Sequence, residues 1–326
     1  KIFTGTNGSG QAITGVGFQP DMVWIKHRTD VSYHVVTDAV RGVTKYLSTN
    51  ATGGETTNAQ SLTAFGADGF TVGTLGDVDA TGNIASWNWK ANGAGSANTV
   101  GDIASTVSVN TTSGFSIVKY TGTGANATVG HGLGVVPSMM IFKNLSRTID
   151  WVVYSNQLAA TDYLVLNSTG AKGTYAPLWN STAPTSSVFS VGTGNATNYS
   201  TENIVAYCFA EVAGYSKFGS YVGNSSTDGT FIYTGFKPSM IIVKGSNESG
   251  QDWAIFDDKR DPFNQITQRL QPSSNNAESG GQDIDFLSNG FKPRVNGSYI
   301  NGAYNYIYMA FGQPIISNSG VCATAR

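Results

Sequence analysis

The stretch Gly17-Phe18-Gln19-Pro20-Asp21-Met22-Val23-Trp24-Ile25-Lys26 decides how this sequence is organised, because its pattern occurs three times. In each copy a glycine stands three residues before a proline, a methionine two residues after it and a lysine six residues after it. Such a fixed spacing predicts three divergent copies of one structural unit. The repeated positions are Gly17, Pro20, Met22 and Lys26, then Gly134, Pro137, Met139 and Lys143, then Gly235, Pro238, Met240 and Lys244.

A second landmark closes each copy. The segment Ile84-Ala85-Ser86-Trp87-Asn88-Trp89 matches residues 204–209 and 306–311, at similar distances after the three prolines. The two landmarks set the boundaries of the predicted domains. We expect repeats at 1–92, 114–213 and 214–315, a Gly/Ala/Ser/Thr-rich linker at 93–113, and a C-terminal tail at 316–326.

Each repeat has the pattern of a β-domain. Its apolar segments are short, rich in β-branched and aromatic residues, and bounded by Gly, Asn, Ser and Asp. The best helix signal is Asp261-Pro262 before residues 263–270, with Asp261 as the N-cap and Pro262 at the first helical position. The sequence therefore predicts an all-β fold: three tandem β-sandwich (jelly-roll-like) domains with at most short helical turns.

The strand that follows each repeated proline is apolar on both faces. Met22-Val23-Trp24-Ile25 and its two equivalents show no alternation with polar residues. A strand of this kind must be covered on both sides, either by a loop or by a neighbouring subunit. We interpret the repeated residues as fold-defining, with glycines in turns of positive φ and methionine and tryptophan in the core.

Composition excludes several classes of function. Charged residues make up 12% of the chain and the net charge is −2, so we expect no binding to nucleic acid, which needs clustered Lys and Arg. No apolar run approaches the ~18 residues that span a bilayer, so we expect no membrane partner. Cys208 and Cys322 are the two cysteines. They make neither a disulfide framework nor a zinc site, and we expect no metal and no cofactor.

Catalytic signals are also weak. The chain has three histidines; we expect His34 to pack where the other repeats have tryptophan, and His131 to be exposed in a glycine turn. The five glutamates form no evident pair of the kind that glycoside hydrolases use. The spacing Asp-x-x-Arg at Asp38 and Arg41 recurs at Asp257 and Arg260, and we interpret it as an ion pair that stabilises a turn. The sequence therefore predicts a protein that is not an enzyme.

The segment 17–26 resembles a repeat found in bacteriophage tail-fibre-like and other virion structural proteins. Segments 110–118 with 130–134, and 210–219 with 285–292, are similar to the same family. The ending Ala323-Thr324-Ala325-Arg326 looks like the C-terminus of that family, so we expect the chain to be complete at that end. The resemblance covers nearly the whole chain. It implies a structural or fibre-like component on the surface of a virion and supplies no catalytic residues.

From this resemblance we expect a tail fibre or a similar exposed appendage that binds host-surface glycan. Its partners would be other virion proteins and copies of itself, with a trimer as the favoured homo-oligomer. The expected sugar contacts are three aromatic residues in polar loops: Trp179, Tyr199 and Tyr299. The alternative is a head decoration (cement) protein bound to the major capsid protein, which strands apolar on both faces would suit. A third reading, a polysaccharide-degrading enzyme, lacks the paired acids that it would need.

Overall fold

The structure is a computed structural model that describes residues 1–8 and 10–314. It confirms the all-β prediction: 42% is strand, 4% is helix, and among these residues no helix reaches seven residues. In the described part, no helix is long and apolar enough to cross a membrane. The predicted tail, with Cys322 and the motif at 323–326, lies outside the described residues.

By compactness the chain divides into two units. The first unit contains residues 1–167 and 173–210, and therefore most of the first two predicted repeats. The second unit contains the chain from Glu211 onward together with the five-residue segment Ser168–Lys172. We describe each unit by itself.

The first repeat is a sandwich of two antiparallel sheets. The larger sheet has the strand order β1-β9-β3-β4 and the smaller one β2-β8-β7, while β5 and β6 form a separate hairpin. A single helical turn, α1 (Gly76–Asp79), precedes β9. The strands are β1 (Ile2–Gly5), β2 (Gln11–Ile13), β3 (Met22–His27), β4 (Val35–Asp38), β5 (Lys45–Tyr46), β6 (Thr56–Thr57), β7 (Leu62–Gly66), β8 (Gly69–Val72) and β9 (Gly82–Trp89).

The second repeat is built around an eight-stranded sheet with the order β10-β11-β12-β19-β14-β15-β16-β17, which faces the pair β13-β18. Its short helical segments are a 3-10 turn at Ala176–Leu178 and α2 (Asn195–Asn198). The strands are β10 (Ser96–Asn98), β11 (Ser105–Asn110), β12 (Phe115–Thr121), β13 (Ala127–Gly130), β14 (Met139–Asn144), β15 (Val152–Ser155), β16 (Asp162–Val165), β17 (Gly173–Thr174), β18 (Val188–Val191) and β19 (Asn203–Phe209).

The predicted linker at 93–113 is instead part of this sheet. It contains β10 and β11, and β11 pairs with β12 over six residues, from Ser105 opposite Tyr120 to Asn110 opposite Phe115. Val107 on β11 is buried in the core of the second repeat. The small polar residues of this stretch adopt the strand conformation because the neighbouring strand supplies hydrogen-bond partners and an apolar contact.

The third repeat lies in the second unit and has the architecture of the first. Its two sheets have the orders β20-β26-β22-β23 and β21-β25-β24. The predicted helix at 263–270 does not form: Ile266 and Leu270 make single bridges to Ile284 and Ile255 and are buried, which holds this segment extended. The strands are β20 (Ser216–Val222), β21 (Ile232–Tyr233), β22 (Phe236–Gly245), β23 (Ala254–Asp257), β24 (Ile284–Leu287), β25 (Gly290–Pro293) and β26 (Asn305–Pro314).

The strand registers match the repeat read from the sequence. Met22 pairs with Trp89, Met139 with Phe209, and Met240 with Phe311. The repeated motif and the closing landmark of each copy are therefore neighbouring central strands of one sheet. This shared register explains why the spacing within each landmark is kept while the loops between them differ in length.

The repeated residues have the conformations that their chemistry predicts. Gly17, Gly134 and Gly235 all have positive φ, at 89°, 73° and 83°, which glycine adopts without steric cost. The three repeated methionines are buried. All six residues of β3 and of β14 are buried too, so the prediction that these strands are covered on both faces is confirmed.

Each repeat has a core between its two sheets. In the first repeat Val23 and Ile25 of β3 pack against Phe70 and Val72 of β8. In the second, Met140 and Phe142 occupy the same place opposite Phe189. In the third, Ile241 and Val243 belong to one cluster with Phe286 and Phe291. Alternate residues of the central strand thus fill the sandwich, as the period of a strand requires.

We predict that Gly134→Ala lowers the free energy of unfolding by about 1 kcal/mol, because an L side chain is strained at positive φ. A Cβ at Gly134 would meet no atom within 4 Å, so the loss would come from the backbone alone. Gly53→Ala is the matched control, since Gly53 is equally open but has no positive φ. Urea unfolding of both variants would contradict this account if they lost the same stability.

Candidate functional site

A buried group of charged side chains begins at the turn after β4. Asp38 accepts hydrogen bonds through Oδ1 from the backbone N–H of Val40 and of Arg41, at 3.1 and 2.9 Å. The Arg41 guanidinium donates from Nε to Asp38 Oδ2 at 2.5 Å and from an η nitrogen to the carbonyl of Val36 at 2.9 Å. The Asp-x-x-Arg spacing therefore forms the ion pair at a turn that the sequence predicts.

Two further residues complete this group, which we call the arginine cluster (Asp38, Arg41, Glu55 and Tyr207). Glu55 Oε2 lies 3.3 Å from Arg41, and the Tyr207 hydroxyl of the second repeat donates to Asp38 Oδ2 at 2.7 Å. The side chains of Asp38 and Arg41 are fully buried. Burial by itself would lower the pKa of Arg41, but the combined interactions with Asp38, Tyr207 and Glu55 outweigh it and hold that pKa above its usual value. Burial also raises the pKa of Tyr207 well above its usual value.

The third repeat contains the same arrangement of an arginine with an aspartate, a glutamate and a backbone carbonyl. Arg260 Nε lies 2.6 Å from Asp257, a second guanidinium nitrogen lies 3.0 Å from Glu278, and a third donates to the carbonyl of Ile255 at 2.8 Å. Because the ion pairs are buried and hydrogen-bonded within the fold, they are suited to fixing a loop rather than to binding a substrate. We therefore regard the cluster as structural.

Two of the three repeated lysines, Lys143 and Lys244, bind a segment of the preceding repeat, whereas Lys26 donates to the carbonyls of His27 and Asp30 in its own repeat. Lys143, at the end of β14, is fully buried, and its Nζ donates to the carbonyls of Arg147 and Ile149 in its own repeat and of Thr52 in the first repeat. The three distances are 3.2, 2.8 and 3.0 Å. Burial lowers the pKa of Lys143 to about 8. An ammonium group suits this position because it supplies three donors to carbonyls that are cut off from water.

The loop held by Lys143 makes other contacts with the second repeat. The backbone N–H of Glu55 donates to Leu145, and that of Ile149 donates to Thr52, at 2.7 and 2.9 Å. The Trp151 indole N–H donates to the carbonyl of Ser48 at 2.9 Å. We call this set of contacts, in which a buried lysine and its neighbours hold residues 48–55, the lysine joint.

An equivalent joint lies within the second unit. Lys244 is fully buried, and its Nζ donates to the carbonyls of Thr169 and Gln251. Thr169 also accepts from the backbone N–H of Gly250 at 3.0 Å, as Thr52 accepts from Ile149. Burial lowers the pKa of Lys244 to about 8 as well. Through these bonds the short segment Ser168–Lys172 is part of the second unit although it belongs to the second repeat by sequence.

An apolar contact accompanies the joint in the first unit. The Trp89 ring lies 6.4 Å from Phe115 and 6.1 Å from Phe209, and the two phenylalanine rings are 4.9 Å apart. Trp151 stacks on Tyr207 with 6.5 Å between ring centroids. The first repeat thus contributes cover to the outer face of the central sheet of the second repeat. Within this unit, the side chains that cover this face of the sheet belong to the same chain and take the place that a neighbouring subunit could occupy.

The histidines and Cys208 are buried parts of the fold. His34 accepts a hydrogen bond from the Trp24 indole at 3.0 Å, consistent with the predicted packing role. The expectation that His131 is exposed is wrong: its ring is buried, accepts from the Leu133 N–H and faces the Thr185 carbonyl, and burial lowers its pKa. Burial raises the pKa of the free Cys208 thiol to about 12, so it is unsuited to be a nucleophile.

Two clefts that could hold a small ligand contain few side chains that could react with one. Among residues 1–8 and 10–314, no group of three or more His, Cys, Asp or Glu side chains could hold a metal ion. One open cleft of about 360 Å³ has Lys119 as its only charged lining residue, beside Thr121 and Asn203. A second cleft of about 360 Å³ is lined by Val, Ser, Asn, Ala and Gly and contains no titratable side chain.

The three predicted sugar contacts lie in less accessible places than expected. Trp179 is 1% exposed, belongs to the core of the second repeat and donates its indole N–H to the Asp162 carbonyl. Tyr199 and Tyr299 are half-buried. The guanidinium carbon of Arg147 lies 3.6 Å from the Tyr199 ring centroid, and that of Arg269 lies 4.0 Å from Tyr299. These arginines occupy a ring face on which a sugar would stack.

Other aromatic side chains are exposed instead. Sequence reasoning missed them because it considered only aromatics in polar loops. Phe231 and Tyr233 flank the buried Ile232, so the alternation of a short strand is the signal that could have identified them. The exposed aromatic residues are Tyr33, Tyr175, Phe231, Tyr233 and Phe263.

Comparison with known proteins gives one match. A family model with the description "Domain of unknown function (DUF7483)" matches residues 1–314. No curated protein and no solved structure matches the chain.

We predict that Arg41→Met lowers the free energy of unfolding by about 3–5 kcal/mol, because it leaves the Asp38 carboxylate buried without its cation. Arg147→Met is the matched control: Arg147 pairs with Glu202 but is 44% exposed, so its loss would cost less than about 1 kcal/mol. Chemical unfolding followed by circular dichroism measures both. Equal losses would show that the arginine cluster does not hold the fold.

We predict that Lys143→Met lowers the free energy of unfolding by about 2 kcal/mol at pH 7, since buried carbonyls lose their charged donor. The exposed Lys90→Met is the control.

The same pair of proteins gives a pH test. With a folded pKa of about 8 against an ordinary 10.5, folded Lys143 releases its proton first as the pH rises. The unfolded chain then binds more protons, so the contribution of Lys143 to stability rises from pH 8 upward. The melting temperature of the wild type relative to Lys143→Met should therefore increase between pH 8 and 9.5. A constant difference would contradict the lowered pKa.

Proposed function

We propose that this chain, which belongs to the family described as a domain of unknown function (DUF7483), is a non-enzymatic structural protein on the surface of a bacteriophage virion. Within that role we favour a tail fibre or a similar exposed appendage that binds glycan on the host surface. The proposal rests on the properties of the fold and on the resemblance of the repeated motifs to virion proteins.

The observation that carries the proposal is where the chain places its ionisable groups. The ion pair between Arg41 and Asp38 in the arginine cluster is fully buried, and so is the lysine repeated in each copy. These groups hold turns and loops in place. In this protein the few charged side chains serve to fix the repeated domains. Such a protein is better suited to presenting a binding surface than to catalysing a reaction.

The surface that remains supports a role outside the cell. Charged residues are 12% of the chain, so hydroxyl and amide groups of Ser, Thr and Asn keep the surface polar. A neutral polar surface interacts with sugars through hydrogen bonds and aromatic contacts and is little affected by salt. The loops that connect equivalent strands differ in length between repeats, which leaves them free to vary with a ligand.

The second candidate is a head decoration protein bound to the major capsid protein. Strands apolar on both faces favoured it, because such strands can mark contacts between subunits. In the first unit, however, all six residues of β14 are buried within the single chain, which weakens that argument. For either role we keep a homotrimer as the proposed oligomer. A stable monomer at micromolar concentration in mass photometry would contradict it.

We predict that antibody–gold labelling of intact particles places this protein on the tail. Antibody preabsorbed with the purified protein is the control. Label spread over the head would replace the appendage with the decoration protein, and particles without specific label would overturn a place on the virion surface. Release of reducing ends from host capsule or lipopolysaccharide would overturn the non-enzymatic role.

A further inference from the structure

The third repeat carries two exposed aromatic rings at a position where the other repeats have small residues. In each repeat a short strand places one buried residue opposite a core phenylalanine: Ile13 opposite Phe70, Val129 opposite Phe189, and Ile232 opposite Phe291. The residues that flank this buried position are therefore structurally equivalent. They are Ala12 and Thr14 in the first repeat, Thr128 and Gly130 in the second, and Phe231 and Tyr233 in the third.

The fold does not require these rings. Phe231 is 44% exposed and Tyr233 is 60% exposed, while Ala and Thr fill the same places in the first repeat. Because residues i and i+2 of a strand project to the same face, both rings point away from the core that Ile232 enters. Two residues of an extended chain span about 7 Å, a spacing at which linked sugars can contact both side chains.

The neighbouring strand lets the Phe231 ring lie against its backbone. Gly290 on β25 pairs with Tyr233, and a Cβ at Gly290 would come within 3.0 Å of the Phe231 ring. The ring therefore lies close to the Gly290 backbone. The absence of a side chain at Gly290 makes space for this ring, which is still partly open to solvent.

Lys292 lies two residues after Gly290 on β25 and therefore projects to the same face, where it belongs to a group of charged side chains. Asp228 is 77% exposed, and its Oδ1 lies 2.6 Å from Lys292 Nζ and 3.2 Å from the Arg294 guanidinium. Arg294 also pairs with Asp285 at 2.6 Å. Two cations and two carboxylates give no net charge, so this arrangement does not favour a polyanion.

We propose that Phe231, Tyr233, Asp228 and Lys292 form a binding site for neutral polysaccharide, which we call the aromatic platform. The C–H face of a hexose packs on the rings, while neighbouring hydroxyls donate to Asp228 and accept from Lys292 or Arg294. A sugar diol matches a carboxylate beside an ammonium group, because each hydroxyl both donates and accepts. This inference rests on the proposed function and gives it a site and a class of ligand.

The strand itself disfavours a second copy of this chain as the occupant. β21 is the edge of the sheet β21-β25-β24 but is only two residues long. Very short edge strands are a common way to prevent edge-to-edge pairing. The site combines ring carbons with the exposed Asp228 and the partly buried Lys292 and Arg294 rather than a continuous apolar surface, which suits a sugar better than a protein.

The test is affinity electrophoresis of the purified full chain in gels that contain dextran, mannan or galactan. We expect at least one of these neutral polymers to retard the wild type. The double variant Phe231→Ala/Tyr233→Ala should bind it about tenfold or more weakly, since each ring contributes a stacking contact. Tyr175→Ala removes an aromatic residue that is 49% exposed in the first unit and should bind as the wild type does. Dextran sulfate should not retard the protein more strongly than dextran.

Further variants separate stacking from other effects. Tyr233→Phe keeps the ring and should retain binding, and Asp228→Asn/Lys292→Met should lose it. Melting temperatures close to that of the wild type show that the variants are folded. A change of oligomeric state in the double variant, measured by sedimentation velocity, would overturn the proposal in favour of a contact between copies.

The outcomes distinguish this inference from the proposed function. Retardation of the wild type and the double variant to the same extent would overturn the aromatic platform but leave a glycan-binding surface protein. Failure of all three neutral polymers to retard the wild type would overturn the platform, while tail label on particles would still support the appendage. Tail label is independent of Phe231 and Tyr233, so its absence would count against the proposed function alone.

Discussion

Buried backbone carbonyls that need a hydrogen-bond donor are the constraint on which the joints of this protein depend. When a loop of one repeat is buried against the next, its carbonyl groups lose water and must be satisfied from within the protein. A lysine ammonium group solves this at two places: Lys143 reaches Thr52, and Lys244 reaches Thr169. A methionine or leucine would fill the same space without supplying a donor, which gives a physical reason for a lysine at the end of an otherwise apolar strand.

The arginine cluster follows the same logic with a different donor. Arg41 supplies donors at fixed angles, so it can hold Asp38, Glu55 and the Val36 carbonyl together at the point where the first repeat meets Tyr207. The third repeat keeps the arginine, the aspartate and the glutamate. Because these charges act at short range inside the protein, they do not require charged residues on its surface. The surface can therefore be neutral.

A repeated domain can acquire a specific function when its copies share the same core but differ at the surface. The three repeats keep the central strand, its register and the glycine turn, all of which concern packing. They differ on the outer face of the smaller sheet, where one repeat has Phe231 and Tyr233 and another has Ala12 and Thr14. Function on such a fold is a property of the positions that packing does not constrain. The aromatic platform is proposed at a position of that kind.

Local patterns in the sequence determined the repeat, the all-β class, the strand covered on both faces, the glycines of positive φ and the ion pair between Asp38 and Arg41. Each of these depends on residues close together in the chain, where spacing and conformational preference act directly. Tertiary structure alone decided that residues 96–98 and 105–110 are strands, because their Gly-, Ser- and Thr-rich neighbourhood has little preference until β12 lies beside it. It also decided that Trp179 is buried and Phe231 exposed, and that Lys143 meets Thr52. Burial and long-range hydrogen bonds join residues far apart in sequence, so no local pattern contains them.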